Sequence, residues 1–289
     1  MPILKLIQGR PHDLGGGMTV KRLLPAAGQQ AIGPFIFFDH FGPVSVRPQD
    51  HHDVRPHPHI GLATVTYLLE GAMMHSDSLG CVQRIEPGAI NWMTAGRGIV
   101  HSERRPSDLA QSTYVNHGLQ LWAALPQEHE ESEPGFIHTS AEVIPEIVVE
   151  GARVRVLVGS AFGKQSPVAT LTPTLYLDVD LAAEASLTLE ASPLELGVYS
   201  VGLDLQIDGE AVAAHTLAIL RPNQVTKISA RQGARFVVIG GQALDGHRHI
   251  WWNFVASRLE RINEAKLAWA EQAMGSVPGE TDWIPLPAR

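Results

Sequence analysis

Two short pairs of histidine and carboxylate residues give this sequence a candidate metal site. His57 and His59 are separated by one residue, and His101 and Glu103 have the same spacing. Successive side chains of a β-strand point to opposite faces, so residues i and i+2 share a face. Two neighbouring strands that each carry such a pair could hold four ligands around one ion. Imidazole nitrogen and carboxylate oxygen suit iron, manganese, copper, nickel or zinc, and do not select among them.

The first pair also has a simpler explanation. The segment from His51 to His59 contains two prolines and could be a solvated, proline-stiffened loop. The second pair favours the metal site, because Gly96 and Gly98 predict a tight turn and Ile99 and Val100 predict the start of a buried strand. With both pairs present, we interpret the four side chains as one shared site.

The same segments resemble the pirin family of the cupin superfamily. The similar strings are HPHIGLATVTYLLEG (57–71), HSDSLG (75–80), WMTAGRGIVHSE (92–103), DLGGGMTVKRLLP (13–25), FIFFDHFGP (35–43) and WWNFV (251–255). They extend over most of the chain. The resemblance implies an all-β bicupin fold, with two antiparallel β-barrels of the double-stranded β-helix (jelly-roll) type.

The resemblance also implies a role for each residue of the site. It makes His57, His59, His101 and Glu103 the ligands of one divalent transition metal, which in the family is usually iron. Some members resemble quercetin 2,3-dioxygenases, which implies a flavonol-like aromatic substrate and O2, with carbon monoxide expelled on cleavage. Glu103 could then act both as a ligand and as a base for an acidic substrate hydroxyl. Many members have Glu where this chain has Ala63, which leaves the acid–base groups around the site open.

A second function class follows from the same resemblance. Some pirins resemble transcriptional co-regulators or modulators of metabolic enzymes, so the chain could be an interaction protein whose iron oxidation state alters binding to a protein partner. A metal-bound scaffold without selected chemistry is a third alternative. Turnover of a flavonol with stoichiometric O2 uptake would distinguish the enzyme from both.

Composition excludes several other classes. The chain has 289 residues, of which 44% are hydrophobic and 18% are charged, as in ordinary soluble globular proteins. No run approaches the ~20 apolar residues of a membrane span, and the apolar start of the chain is too short for a signal peptide. A net charge of −8 argues against direct nucleic-acid binding. The single Cys81 fits a reducing cytoplasm, where we expect the protein to be located.

Most of the sequence predicts short strands separated by Gly, Pro and Asp, in two series. The first series predicts an N-terminal metal-binding barrel over residues 1–135. The second predicts a C-terminal barrel over residues 136–289, which includes a terminal helix. We interpret the sequence after about residue 150 as lacking ligand spacing, with His215 as its only candidate and no spaced companion. We therefore expect the second barrel to be free of metal.

The helix is predicted from Ser257 by apolar residues at 3–4 spacing that include Leu259, Ile262 and Trp269. Ser257 and Glu260 have capping-box spacing, and Gly275 would end the helix. Residues of the first series that could orient the imidazoles, or line the mouth of the site, are Asp39, His40, His75, Asp77, Asn91, His52 and Arg55.

Overall fold

The computed structural model describes residues 2–14 and 18–287. Over those ranges the chain is mostly β-strand, with 3-10 turns at Ser107–Leu109 and Gln127–His129 and one α-helix, α1 (Leu259–Ala270). The strands of the first half are β1 (Ile3–Gln8), β2 (Arg10–Asp13), β3 (Thr19–Leu24), β4 (Phe35–Val46), β5 (Val54–His59), β6 (Leu62–Glu70), β7 (Met73–Asp77), β8 (Val82–Ile85), β9 (Ile90–Thr94), β10 (Ile99–Arg104), β11 (Tyr114–Ala124) and β12 (Gly135–Thr139).

The strands of the second half are β13 (Glu146–Val149), β14 (Ala152–Val158), β15 (Ser160–Ala161), β16 (Lys164–Gln165), β17 (Thr174–Leu181), β18 (Ser186–Leu189), β19 (Glu195–Ser200), β20 (Leu205–Ile207), β21 (Glu210–Val212), β22 (Thr216–Leu220), β23 (Thr226–Ser229), β24 (Ala234–Gly241), β25 (His249–Trp251) and β26 (Phe254–Ala256). None of the helices in the described part of the chain combines the length and the apolar character needed to cross a bilayer.

The chain forms two compact units that differ from the two continuous segments predicted above. The histidine unit consists of His12–Val20, His40–His138 and Asp245–Arg289, and the companion unit consists of Met1–Pro11, Lys21–Asp39 and Thr139–Leu244. The terminal helix, predicted within residues 136–289, thus belongs to the histidine unit. The reason is packing, because α1 buries its apolar side against residues of that unit.

The histidine unit contains two antiparallel sheets. One has the strand order β5-β10-β7-β8, and the other begins β12-β9-β6-β11 and continues through β4. Strand β6 is buried along most of its length, and Gly61 just before it has a φ of +68°. That left-handed conformation favours glycine. A Cβ at Gly61 would also overlap the carbonyl oxygen of Val255, so glycine lets the two segments approach closely.

The companion unit repeats the two-sheet arrangement. Its larger sheet has the order β1-β22-β19-β24-β17-β14-β13, and its smaller sheet has the order β18-β23-β20-β21. Alternate residues of β14, Ala152, Val154 and Val156, are buried in one apolar cluster with Leu177 and Val179 of β17. This period of two is the pattern from which the strands were predicted.

Helix α1 has the predicted buried side but not the predicted cap. Ile262 and Trp269 are buried, whereas Leu259 is 52% exposed. The helix begins at Leu259 after Arg258, and no side chain caps it. The predicted capping box is wrong, because Ser257 donates its backbone N–H and its hydroxyl to the buried carboxylate of Glu130 instead. The helix also ends earlier than predicted, at Ala270 rather than near Gly275.

Candidate metal centre

Strands β5 and β10 bring the three predicted histidines together. His57 lies directly opposite His101 in the antiparallel register. The ring centroids are 4.3 Å apart for His57 and His101, and 5.0 Å apart for His59 with either of the others. All three side chains are buried, and one ring nitrogen from each lies within 4.8 Å of the other two. This spacing could hold one ion between them.

Glu103 lies next to His101, but its carboxylate is not part of the group of ligand atoms that the three histidines bring within 4.8 Å of one another. Its Oε1 is 3.7 Å from His101 Nδ1. Two potential ligand atoms, Glu103 Oε2 and His101 Nε2, are buried and have no hydrogen-bond partner among the described residues. Buried polar atoms in folded proteins are nearly always paired. A cation at the three histidines would satisfy His101 Nε2 and would attract the nearby carboxylate of Glu103, so the residues present fit a divalent metal.

Burial sets the charge states of the four groups. It lowers the pKa of His57 to about 4. Burial, followed by the neighbouring imidazoles, holds the pKa of His59 and His101 well below the usual value. Burial raises the pKa of Glu103 to about 8. At neutral pH the imidazoles are therefore uncharged and have lone pairs for a metal, while Glu103 holds a proton until a cation replaces it.

Backbone carbonyls fix the tautomers of the first two histidines. His57 Nδ1 donates to the carbonyl oxygen of Arg55 at 2.9 Å, and His59 Nδ1 donates to that of Asn253 at 3.3 Å. A carbonyl can only accept, so Nδ1 carries the hydrogen in both rings. Nε2 is then the lone-pair nitrogen of each, as a metal ligand requires.

The partner of the third histidine, His101, is the side chain of His75 instead of a backbone carbonyl. His101 Nδ1 lies 3.4 Å from His75 Nδ1, and His75 Nε2 lies 2.9 Å from Asp77 Oδ2. The carboxylate fixes the hydrogen of His75 on Nε2, which leaves its Nδ1 to accept from His101. His101 Nε2 is again the lone-pair nitrogen. Among the three histidines, His101 is thus the one connected to a carboxylate, through a second imidazole.

A second grouping of possible ligands consists of His75, Asp77 and Cys81. The ring nitrogens of His75 and both carboxylate oxygens of Asp77 already have hydrogen-bond partners. Asp77 Oδ1 accepts the backbone N–H groups of Leu79 and Cys81, at 2.9 and 3.1 Å, and Oδ2 accepts from His75. We therefore interpret these residues as support for His101 rather than as a separate metal site.

The other candidate orienting residues lie elsewhere. Asp39 pairs with Arg22 at 2.8 Å within the companion unit. His40 Nε2 lies 2.7 Å from His117 Nε2. Arg55 is exposed and acts through its carbonyl group. His52 is half-buried, and its Nδ1 has no partner among the described residues.

Two features of the sequence have a different meaning in the structure. Ala63 pairs with Ala123, whereas its neighbour Thr64 pairs with Trp122, whose ring meets that of His59 edge-on at 5.2 Å. Ala63 therefore faces away from the histidines.

His247 and His249 form a further His-X-His pair that the sequence argument passed over, and their rings are only in edge contact at 4.9 Å near the surface.

The C-terminal segment of the histidine unit forms hydrogen bonds with both strands that carry the proposed ligands, β5 and β10. Ser102 and Arg104 on β10 both donate to the carboxylate of Glu280. On β5, the carbonyl of Pro56 accepts the backbone N–H of Ile284 at 2.8 Å. Sequence reasoning missed these contacts and the Asn253 carbonyl, since neither a backbone carbonyl nor a lone carboxylate such as Glu280 identifies its partner across such separations.

Comparison with protein families gives two matches along the chain. The Pirin family model matches residues 17–123, and the Pirin C-terminal cupin domain model matches residues 176–275. A Pirin-like protein of Caulobacter vibrioides is 37% identical over 98% of this chain and 98% of its own length. A Pseudomonas aeruginosa protein with the provisional name quercetin 2,3-dioxygenase is 36% identical over 93% of this chain and 84% of its own.

A solved structure gives the same relationship. The crystal structure of quercetin 2,3-dioxygenase from Acinetobacter baumannii superposes with a TM-score of 0.92 and 32% identity, over 99% of this chain and 96% of that one. The predicted bicupin fold with a C-terminal helix is therefore confirmed.

Proposed function

The chain belongs to the pirin family, and from that premise we propose that it is a metal-dependent dioxygenase that opens the ring of a flavonol with O2. The observation that carries the proposal is the pair of buried, unpaired atoms, His101 Nε2 and Glu103 Oε2, beside two more uncharged imidazoles. Such a set is costly to bury without a ligand. It is also a donor set from which non-haem metal centres are built.

We propose that His57, His59, His101 and Glu103 hold one divalent metal, with iron as the first candidate. When bound, the metal would supply a Lewis acid for a substrate hydroxyl and, if redox-active, a centre for reaction with O2. Four protein ligands leave room for substrate in a six-coordinate geometry. The buried position of the histidines excludes bulk water from the reacting groups.

Glu103 has a proposed second role as a base. The carboxylate has two oxygens, so Glu103 could bind the metal through one and accept a proton on the other. It would take the proton from the acidic hydroxyl of a flavonol onto a carboxylate oxygen and so favour the enolate that reacts with O2.

The substrate class is supported by the relatives and by the aromatic residues near the histidines. A quercetin 2,3-dioxygenase shares the fold over nearly the whole chain at 32% identity. Within the histidine unit, Trp122 lies against His59, and Phe136 stacks on His75 at 4.2 Å. Flat aromatic rings pack well against such side chains.

The test is to add quercetin in air to protein reconstituted separately with iron, manganese, copper or nickel. The proposal expects the flavonol absorption band to disappear with at least one metal, with consumption of O2 and release of carbon monoxide. An unchanged band with all four metals, each shown to be bound, would contradict the dioxygenase and favour the interaction protein.

A further inference from the structure

A row of polar side chains crosses three neighbouring strands of the histidine unit. Thr66 on β6 lies opposite Gln120 on β11 and opposite Asn91 on β9. Residues directly opposite each other in an antiparallel pair share a face of the sheet. Thr66 Oγ1 donates to Gln120 Oε1 at 2.8 Å, which agrees with this placement.

Two aromatic contacts show that this face looks towards the histidines. Trp122, on the same face as Gln120 two residues away, has its ring 5.2 Å from that of His59. Phe136 on β12 stacks on His75, which in turn contacts His101. The polar row and the two aromatic rings therefore border the same space as the proposed metal ligands.

Only one of the two polar atoms of the Asn91 amide group has a hydrogen-bond partner among the described residues. The residue is 2% exposed. Its Oδ1 accepts from His138 Nδ1 at 2.7 Å, while its Nδ2 has no hydrogen-bond partner among the described residues. His138 and Phe136 share a face of β12, being two residues apart. A buried donor without a partner is unfavourable unless a ligand supplies one.

The position of the row sets the size of that ligand. Asn91 and Gln120 lie two residues along the strands from Met93 and Trp122, which is a displacement of about 7 Å. A molecule that binds the metal at one end would therefore reach the row with its other end. Gln120, Phe136 and His138 are half-buried, so solvent reaches this end of the face.

We propose that Asn91, with Gln120 and Thr66, binds a hydroxyl group at the end of a flat aromatic substrate that is remote from the metal. This inference rests on the proposed function, and it adds that the substrate carries hydroxyls on a ring other than the one cleaved. Trp122 and Phe136 bind the ring system. Asn91 supplies specificity, because a ligand without the remote hydroxyl leaves the amide unpaired.

The test compares two flavonols that differ in the remote hydroxyls. Quercetin carries them, and 3-hydroxyflavone has only the hydroxyl next to the carbonyl. Protein reconstituted with Ni²⁺ is titrated with each under argon, and binding is followed by calorimetry. We expect wild-type protein to favour quercetin by about tenfold or more, as one lost hydrogen bond predicts. Asn91→Leu should remove most of that preference while binding 3-hydroxyflavone within about twofold of wild type.

Two further variants keep the result interpretable. Gln120→Leu, at a half-buried position, should reduce the preference in the same direction if Asn91→Leu fails to fold. Thr94→Val is the matched control, because Thr94 pairs with Ala63 and so lies on the opposite face of β9; it should leave both affinities unchanged. An undiminished preference in folded Asn91→Leu and Gln120→Leu would overturn the inference, and so would failure of wild-type protein to favour quercetin.

The outcome is separable from that of the proposed function. Loss of the preference in Asn91→Leu supports the binding role even if quercetin is not consumed in air. Conversely, an undiminished preference in the variants overturns the role of the row while leaving quercetin turnover, measured separately, as evidence for the dioxygenase.

Discussion

The Nδ1 atoms of His101 and His75 lie 3.4 Å apart, and the other ring nitrogen of His75, Nε2, lies 2.9 Å from Asp77 Oδ2. One proposed metal ligand is thus oriented by a buried carboxylate through a second imidazole. His57 and His59 are held instead by neutral backbone carbonyls. The electron-donating strength of the three ligands should therefore differ.

Asp77→Asn should weaken metal binding, by less than the about 10- to 100-fold that follows removal of a direct outer partner of a histidine ligand, because Asp77 acts on His101 through His75. The amide of Asn can donate a hydrogen bond to His75 Nε2, which would place the hydrogen of His75 on Nδ1. His75 could then no longer accept a hydrogen bond from His101 Nδ1. Calorimetric titration with Ni²⁺ measures the change. Asp108→Asn, at an exposed position of the same unit, is the control. Equal affinities for wild type and Asp77→Asn would show that the contacts from Asp77 through His75 to His101 do not affect metal binding.

The double variant His57→Ala, His101→Ala should lose its metal. Two of four ligands are removed, and the remaining pair cannot reproduce the geometry of the site. Elemental analysis of protein purified without chelator or metal-affinity resin gives the occupancy. His12→Ala, at an exposed position on β2, should keep about one metal per chain. Full occupancy in the double variant would mean that the metal binds elsewhere.

Metal binding should release a proton at neutral pH. In the metal-free protein Glu103, with a pKa of about 8, is protonated at pH 7, whereas His57, with a pKa of about 4, is not. Binding the cation should displace about one proton, so the apparent affinity should rise about tenfold per pH unit from roughly pH 5 to 7.5.

Calorimetry in two buffers of different ionisation enthalpy counts that proton. Glu103→Gln cannot release it, so the variant should give a count near zero and an affinity with little dependence on pH in this range. The same proton count in wild type and variant would assign the release to another group.

Two glycines with similar backbone angles should respond very differently to alanine. Gly61 has a φ of +68° and Gly80 has a φ of +84°, so both substitutions carry the cost of a left-handed residue, about 1–2 kcal/mol. A Cβ at Gly80 meets nothing within 4 Å, whereas one at Gly61 overlaps the Val255 carbonyl oxygen. Gly61→Ala should therefore lower the free energy of unfolding by at least about 2 kcal/mol more than Gly80→Ala, as seen in urea unfolding. Equal losses would show that the segment around Val255 can move aside.

The sequence was sufficient for the strand series and the approach of the histidines, because both follow from the alternation of side chains, whereas the bicupin fold was predicted from the family resemblance. It was less informative where the register shifts. The pairing of β10 with β5 is irregular between His101 and Glu103, so that Glu103 lies opposite Val54. No residue type marks such a shift.

Contacts made by backbone atoms could not be predicted from the sequence either. The carbonyl of Asn253 holds His59 across 194 positions, and any residue could provide it. The spacing of His75 and Asp77, by contrast, is a third i,i+2 pair. Both residues were predicted as candidates to orient an imidazole, but their spacing was not used and the imidazole that they support was not predicted.

We propose that a metal held by His57, His59, His101 and Glu103 makes this protein a flavonol dioxygenase. The most direct measurement is O2 uptake with quercetin while metal-free protein is titrated with iron. We expect uptake to rise with added iron and to level off at about one equivalent per chain, with one O2 consumed per flavonol. Glu103→Gln should lower the rate more than it lowers the bound iron. No uptake at any loading with iron, nor in the same titration with manganese, copper or nickel, would contradict the proposal, and so would equal uptake by the His57→Ala, His101→Ala variant.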